Sequence, residues 1–461
     1  MAVYGKKDAI IATNPGELAR PYVGNEADRV AELVRSVQNG NTLTMIAVSD
    51  VHYREDADVV VNAIEDMSAA IGAIREQLHI DYCISYGDVI YACWGGEDGL
   101  SDRLSYADGV TDAAGVVKLT QRGFGATPQI RLVGNHDTNS TDSSGTKYFT
   151  MNQLFGYFGA HNGETERPDD YRNRSYGLID DDYRKLRIIY LNTSDFGGGS
   201  PNKGNYGNLN YYMSAEQTAW LIDALDLSDK EDADEWQIVL MSHVPFDQSS
   251  TYLDGGMVKN GYPALLKAYE DGSSGSLLDV AYDFSGGKNA ATLALFVHGH
   301  THSYTVDNQH YRAGTEGSYT YPRMMLPRIS IPNALPGRDT GANSTSDVGI
   351  LWGVGEKCEK TAGTAESTAF VVNTLDPVSK VFYSHHYGAG FDRILHYVPQ
   401  TISAATTLTP SITATSWATL DSSVATVNNS GKVTPKAAGN VMVYAKASDG
   451  TREYFNLSVS V

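Results

Sequence analysis

Two rhythms of apolar and polar positions run along this chain. In "NEADRVAELVRSVQNG", Val30, Leu33, Val34 and Val37 share one helical face, and Gly40 closes the segment. Val60, Ile64, Met67, Ile71, Ile74 and Leu78 step by fours and threes, which predicts an amphipathic helix from Asp58 to Leu78. "SAEQTAWLIDAL" predicts another helix, with Ser214 as N-cap and Gln217 three residues on as a capping box. Between these lie short apolar runs: Met45–Val48, then "YCISYGD", "QIRLVGNHD", "KLRIIYLNTSD", "WQIVLMSHVP" and "ATLALFVHGHTH". Each reads as a buried strand that closes on polar residues. Strands alternating with helices make an α/β pattern, in which ligands collect beyond the carboxyl ends of the strands.

After about residue 320 the rhythm changes to strands and hairpins, in "RISIPN", "TAFVVNTLD" and "KVFYSHHYGAGFDRILHY". "PQTISAATTLTPS" reads as a linker. Beyond it "SVATVNNSGKVTPKAAGNVMVYAKASDG" alternates apolar and polar residues between Asn-Ser-Gly and Asp-Gly turns, a small all-β module. The division expected is a helical segment at 1–40, a main domain at 41–397 and the β module at 398–461. Residues 95–125 and 139–180, rich in Gly, Asp and Tyr, are expected to be loops over the strand ends.

Composition narrows the classes. With 461 residues, 41% of them hydrophobic and 20% charged, the chain is globular and long enough for two or three domains. No apolar run approaches the roughly 18 residues needed to span a bilayer. The N-terminus carries no signal-peptide core of about 7–15 apolar residues, which argues against ordinary secretion and favours a virion-associated or cytoplasmic setting. A net charge of −20 disfavours sequence-blind binding to nucleic acid or anionic membrane. It does not exclude a small anionic substrate, because bound cations invert the local field. Cys83, Cys93 and Cys358 are odd in number and scattered, so they form neither a disulfide framework nor a zinc-finger spacing. Cys83, in "IDYCISYGD", reads as a small buried apolar residue.

The strand ends carry the chemistry. They supply Asp50 and His52 in "SDVH", Asp88 in "YGDVIY", Asn135 and His136 in "GNHD", His243 in "MSHVP", and His300 and His302 in "GHTH". Carboxylate, amide oxygen and imidazole together suit Zn, Mn, Fe or Co better than Ca or Mg. No thiolate takes part, so a structural zinc site is a poor reading. The donor count fits two metals with one shared carboxylate better than it fits one, and two metals form a clamp for displacement at phosphorus.

This ordered set, D-x-H, G-D, G-N-H-D, an isolated His after an apolar strand and G-H-x-H, resembles the calcineurin-like metallophosphoesterases over about residues 40 to 395. The resemblance implies a four-layer αββα sandwich of two mixed sheets flanked by helices. It implies that Asp50, His52 and His302 hold one metal, that Asn135, His243 and His300 hold a second, and that Asp88 bridges them. His136 would face the leaving-group oxygen as an acid, Asp137 would orient its ring, and a metal-bridging hydroxide would attack phosphorus in line. The reaction expected is hydrolysis of phosphate mono- or diesters, with the metal pair unidentified and no organic cofactor.

Other residues read as structural. His298 alternates with His300 and so points to the opposite face of its strand. His385 and His386 fall outside every motif of the family and read as packing or rim residues. "GDVIY" also matches the G-D-x-x-Y of purple acid phosphatases, but that branch lacks the histidine of D-x-H, so Tyr91 reads as spare. Trp94 in "WGGEDG" and the stretch "NTSDFGGGSPNKGNYGN" are candidates to shape a pocket. The C-terminal module resembles bacterial immunoglobulin-like group 2 domains, carried by Val424, Val427, Val433, Gly439 and Val443. That resemblance implies display on a phage particle or bacterial surface, with particle or cell-surface partners. The alternative to an enzyme is a structural or adhesive virion or surface protein that uses the phosphoesterase fold as a scaffold.

Overall fold

The structure is a computed structural model. It describes residues 21–54, 58–91, 106–138, 175–195, 211–247, 261–309, 323–334, 350–353, 356–361 and 364–461, with positions 149, 153 and 257. Trp94 and residues 196–208 of the candidate pocket stretches lie outside the described residues.

The first half runs α1 (Pro21–Val37), β1 (Leu43–Val48), α2 (Asp58–Gln77), β2 (Tyr82–Ser85), α3 (Tyr106–Phe124) and β3 (Gln129–Arg131). Next come β4 (Gly177–Asp181), β5 (Leu186–Leu191), α4 (Ala215–Leu225), β6 (Gln237–Ser242), α5 (Tyr262–Asp271), the hairpin β7 (Ser274–Leu277) and β8 (Val280–Asp283), and β9 (Thr292–His298). Short strands follow: β10 (Ser303–Tyr304), β11 (Val306–Asp307), β12 (Arg328–Ser330), β13 (Ile350–Gly353) and β14 (Glu356–Glu359). The chain closes with β15 (Ala369–Asp376), β16 (Val381–Gly388), β17 (Arg393–Ile402), β18 (Thr406–Thr407), β19 (Ser416–Thr419), β20 (Ala425–Val427), β21 (Lys432–Pro435), β22 (Gly439–Lys446) and β23 (Arg452–Val459).

Two mixed sheets pack face to face. One has the order β19-β22-β23-β17-β16-β15-β1-β2-β3, the other β11-β12-β9-β6-β5-β4. Strand β1 shows how the layers arise. All six of its residues are buried, because both of its faces are covered and its sequence is therefore continuously apolar. Met45 and Ala47 pack between the sheets with Ile188, Val239, Met241 and Leu295. Ile46 and Val48 face the other way, into a core with Val30 and Val34 of α1, Ile64 and Ile71 of α2, and Val116 of α3. On the far side of the second sheet, Ile189, Leu240 and Phe296 pack against Leu221 of α4 and Leu265 of α5. Helix, sheet, sheet, helix is the four-layer arrangement expected.

Several expectations need correction. Residues 106–124, expected to be loop, form helix α3. Glycines 109, 115 and 123 disguise its period, yet Ala113, Val116 and Phe124 are buried in the first core. A Cβ on Gly115 would lie 2.5 Å from the Tyr53 ring, so the glycine is there for close approach. The Ser214 cap is only half a capping box. Its hydroxyl accepts from Gln217 N–H at 3.2 Å, but the Gln217 side chain turns inward to the Asn192 backbone and Asp195. The tertiary hydrogen bonds outcompete the reciprocal local one.

"PQTISAATTLTPS" is not a free linker. Its first residues finish β17, which pairs with β16 on one side and runs parallel to β23 on the other. The strand-rich C-terminal region, with its own small core of Ile402, Val433, Val441, Val443 and Leu457, is compatible with an Ig-like sandwich. It extends the first sheet rather than hanging from it. No helix among the described residues is long and apolar enough to cross a membrane.

Candidate metal centre

Five segments converge where the two sheets meet. The turns after β1, β2, β3, β6 and β9 bring Asp50, His52, Asp88, Asn135, His243, His300 and His302 together. Local backbone conformation is the first sign of constraint. Asp50, His52, Asp88, His300 and His302 all take left-handed φ values, between 47° and 65°. Such values are uncommon for residues with a Cβ and cost about 1–3 kcal/mol each unless the surroundings impose them. The same turns need glycine beside them. Gly87 has φ of 94°, and a Cβ there would sit 2.5 Å from the Gly134 nitrogen. A Cβ on Gly134 would in turn lie 2.8 Å from the Asp88 Cα.

The donors fall into clusters whose ligand atoms lie within 4.8 Å of one another: Asp50, His52 and His302; Asp88, His243 and His300; and His52, Asp88 and His136. In the first, His52 Nε2 and His302 Nε2 face each other at 3.0 Å. Asp50 Oδ1 lies 3.3 Å from His302 Nε2 and 3.8 Å from His52 Nε2. The other oxygen of Asp50 is engaged by the protein, accepting from Ser49 Oγ at 2.5 Å and His300 N–H at 3.0 Å. That leaves Oδ1 buried without a hydrogen-bond partner. A bare buried carboxylate oxygen is costly, and here it is aimed at two imidazole nitrogens. Such a set could hold a cation.

In the second cluster Asn135 Oδ1 lies 2.9 Å from His243 Nε2 and 3.0 Å from His300 Nδ1. Asp88 Oδ2 is 3.1 Å from His243 Nε2 and 4.0 Å from His52 Nε2, so it reaches toward both groups. The Tyr86 carbonyl accepts from His243 Nδ1–H at 2.6 Å, which turns the Nε2 lone pair toward the cluster. Burial pushes His52 down to about 4 and His300 down to about 3, so both are neutral imidazoles ready to donate a lone pair. For His243 burial works the same way, but Asp88 against it prevails and raises it. Burial also opposes ionisation of Asp50, yet the imidazoles of His302 and His52 facing it carry it well below the usual carboxylate range.

His136 belongs to the third cluster, with His52 and Asp88. Its side chain is 20% exposed, its ring centroid is 4.7 Å from that of His52, and its Nε2 is 4.0 Å from Asp88 Oδ2. The expectation that Asp137 orients it is corrected by the geometry. Tyr91 O accepts from His136 Nδ1–H at 2.8 Å. Asp137 instead accepts from the N–H groups of Gly134 (2.8 Å), Asp88 (3.1 Å) and Val89 (2.7 Å), bolting the β2 and β3 turns together. Burial and then Asp88 push its carboxyl up to about 7.

His298 is buried in β9, with Nδ1 against its neighbour's carbonyl, and belongs to none of the clusters. His385 and His386 sit in β16 beside Asp392, with His386 Nδ1 2.8 Å from its carboxylate. Tyr91 takes part through its carbonyl. Cys83 is buried among apolar side chains, and its thiol is pushed up to about 12 by burial. Sequence reasoning missed Ser49, which engages Asp50, and Tyr211, whose ring meets His300 edge-on at 4.7 Å. Ser49 had only its adjacency to Asp50 as a signal, and Tyr211 had none.

A family model described as calcineurin-like phosphoesterase matches residues 43–304, more than half of the chain. The chain belongs to the calcineurin-like phosphoesterases. The match runs from the first residue of β1 to the last of β10 and spans every ligand candidate. Membership implies metal-dependent hydrolysis of phosphate esters, and the three clusters provide residues able to hold metal. No curated protein matches the chain.

Proposed function

We propose that this phosphoesterase hydrolyses phosphate mono- or diesters at a two-metal centre. Asp50, His52 and His302 hold one divalent cation, Asn135, His243 and His300 hold the other, and Asp88 is shared. The observation that carries this reading is the run of three donor clusters, joined at His52 and at Asp88, with the orphaned Asp50 oxygen aimed into the first of them. Bound there, Mn, Zn, Fe or Co would supply Lewis-acid polarisation of a phosphoryl oxygen and a more acidic water.

The protein's own groups do the rest. The Tyr91 carbonyl holds the His136 Nδ1 proton, so when the ring is protonated its second proton is on Nε2, the nitrogen on the Asp88 side. From there His136 gives a proton to the departing ester oxygen. Asp137 is a positioning residue: its backbone bonds keep Asp88 and Asn135 in register across two turns. Display on a particle or cell surface is a further part of this proposal, and it rests on the resemblance and composition of the C-terminal residues.

The test joins metal content with turnover of an aryl phosphate monoester and diester in added Mn, Zn, Fe or Co. About two metals per chain are expected, with metal and turnover both lost in Asp88→Asn, since that carboxylate serves both positions. A folded chain without turnover in any metal would replace the enzyme with a scaffold.

A further inference from the structure

Behind the first metal position lies a chain of contacts formed largely by residues beyond the family match at 43–304. Ser49 pairs with Asn333 in an isolated parallel bridge, and Ala334 N–H donates to Ser49 O at 2.8 Å. This joins the end of β1 in one sheet to the segment after β12 in the other, directly beneath Asp50. Lys360, just after β14, reaches into the same seam. Its amine donates to both the backbone oxygen and the side-chain oxygen of Asn333. Asn333 is fully buried and Lys360 is 9% exposed.

A lysine is rarely placed in such a position without a partner that needs it. Burial pulls its amine well below the ordinary lysine value, with Asp50 the charge that opposes the change. Charged or neutral, the amine keeps hydrogens to donate, so its hold on Asn333 does not depend on its protonation.

We propose that Lys360 is a positioning residue for the first metal: by fixing Asn333 it fixes Ser49, whose hydroxyl turns the free oxygen of Asp50 toward His52 and His302. The order of contacts is Lys360 Nζ to Asn333, the Asn333–Ser49 bridge, then Ser49 Oγ to Asp50 Oδ2 at 2.5 Å. Each link orients the next, and the last leaves Asp50 Oδ1 as the donor. The second position is held by other elements, through the Tyr86 carbonyl and the Asp137 brace. Lys360 therefore acts mainly on the first metal, since Asp50 connects to the second only through the His300 N–H.

This inference rests on the two-metal reading, and one experiment separates their failures. The metal-free chain is titrated with Mn(II) by calorimetry, and the loaded chain is followed by electron paramagnetic resonance for the coupled pair. Wild type should show two binding events, and His302→Ala marks the loss of the first. Lys360→Met, which keeps the stem and removes the donor, should weaken the first event about 10- to 100-fold and the second by far less. Ser49→Ala should do the same, and it covers the case in which Lys360→Met fails to fold. The double variant should lose less than the product of the two single losses, because both act through one chain of contacts.

Were the amine charged, its removal near a cation would by itself tighten binding, so weakening is the mark of positioning. Equal weakening of both events, an unchanged first event or a tighter one would each overturn the proposal. Wild type that binds no Mn(II) would remove the two-metal reading, and this inference with it.

Discussion

At the scale of single residues, the centre depends on side chains whose second contact decides what the first can do. His243 and His136 both give Nδ1–H to a backbone carbonyl, Tyr86 O at 2.6 Å and Tyr91 O at 2.8 Å. In the proposed roles the same arrangement serves two ends: His243, with Nε2 3.1 Å from Asp88 Oδ2, ligates, whereas the partly exposed His136, 4.0 Å from it, carries the proton. His136→Gln should therefore keep both metals while turnover falls by about 100- to 10,000-fold. The loss should be larger for alkyl esters than for nitrophenyl esters, whose leaving groups need no proton. Metal analysis alongside kinetics on both ester types checks this, and loss of metal in the variant would assign His136 to the ligands instead.

At the scale of elements, helices α2 and α3 show that composition and context are separate matters. Both carry internal glycines, which weaken a helix by roughly 0.5–1 kcal/mol relative to alanine. A Cβ on Gly72 of α2 meets nothing within 4 Å, whereas one on Gly115 of α3 lies 2.5 Å from Tyr53. Gly72→Ala should therefore stabilise the chain by about 0.5–1 kcal/mol. Gly115→Ala should destabilise it by about 1–3 kcal/mol despite the better helix propensity. Urea denaturation of the two variants gives the signs directly. The same context explains why α3 was not legible. Its glycines look like loop composition until the neighbouring Tyr53 and Ser68 are in place.

At the scale of the molecule, the C-terminal region is part of the first sheet. Strand β23 pairs with β17 along most of its length. Arg452 lies over the Phe391 ring at 4.2 Å, and Arg393 lies over Tyr304 at 3.7 Å. Glu453 accepts from Ser411 N–H at 2.7 Å and sits 2.8 Å from His396 Nε2. Removal of residues 398–461 would cut β17 and expose the apolar strand faces beside it. Calorimetry should show one cooperative unfolding transition for the full chain and no folded core for the truncated one.

Glu453 adds a pH dependence to that junction. Burial alone would raise its carboxyl, but His396 and Ser411 bring it below its ordinary value of 4.5. A lowered folded value means that its stabilisation is complete above pH 4.5 and is lost as pH falls through the folded value. Glu453→Gln should thus lower stability at neutral pH and flatten the acid side of the stability curve. An unchanged acid limb would show that this pair does not link the region to the sheet.

The periodicity of apolar residues was enough to determine most strands and the helices over 25–37 and 58–78, because burial imposes its rhythm on the local sequence. The residues of the candidate centre were legible for a related reason. A cation accepts few donor types, and the chain places those types at successive strand ends. Convergence was decided only by the tertiary structure. His52 and His302 are 250 residues apart in sequence and 3.0 Å apart in space, a distance set by how two sheets pack. The left-handed turns, the reassignment of Asp137 from ring partner to brace, and the reach of Lys360 beneath Asp50 belong to that level as well. Each depends on backbone groups of another segment, which no side-chain pattern records.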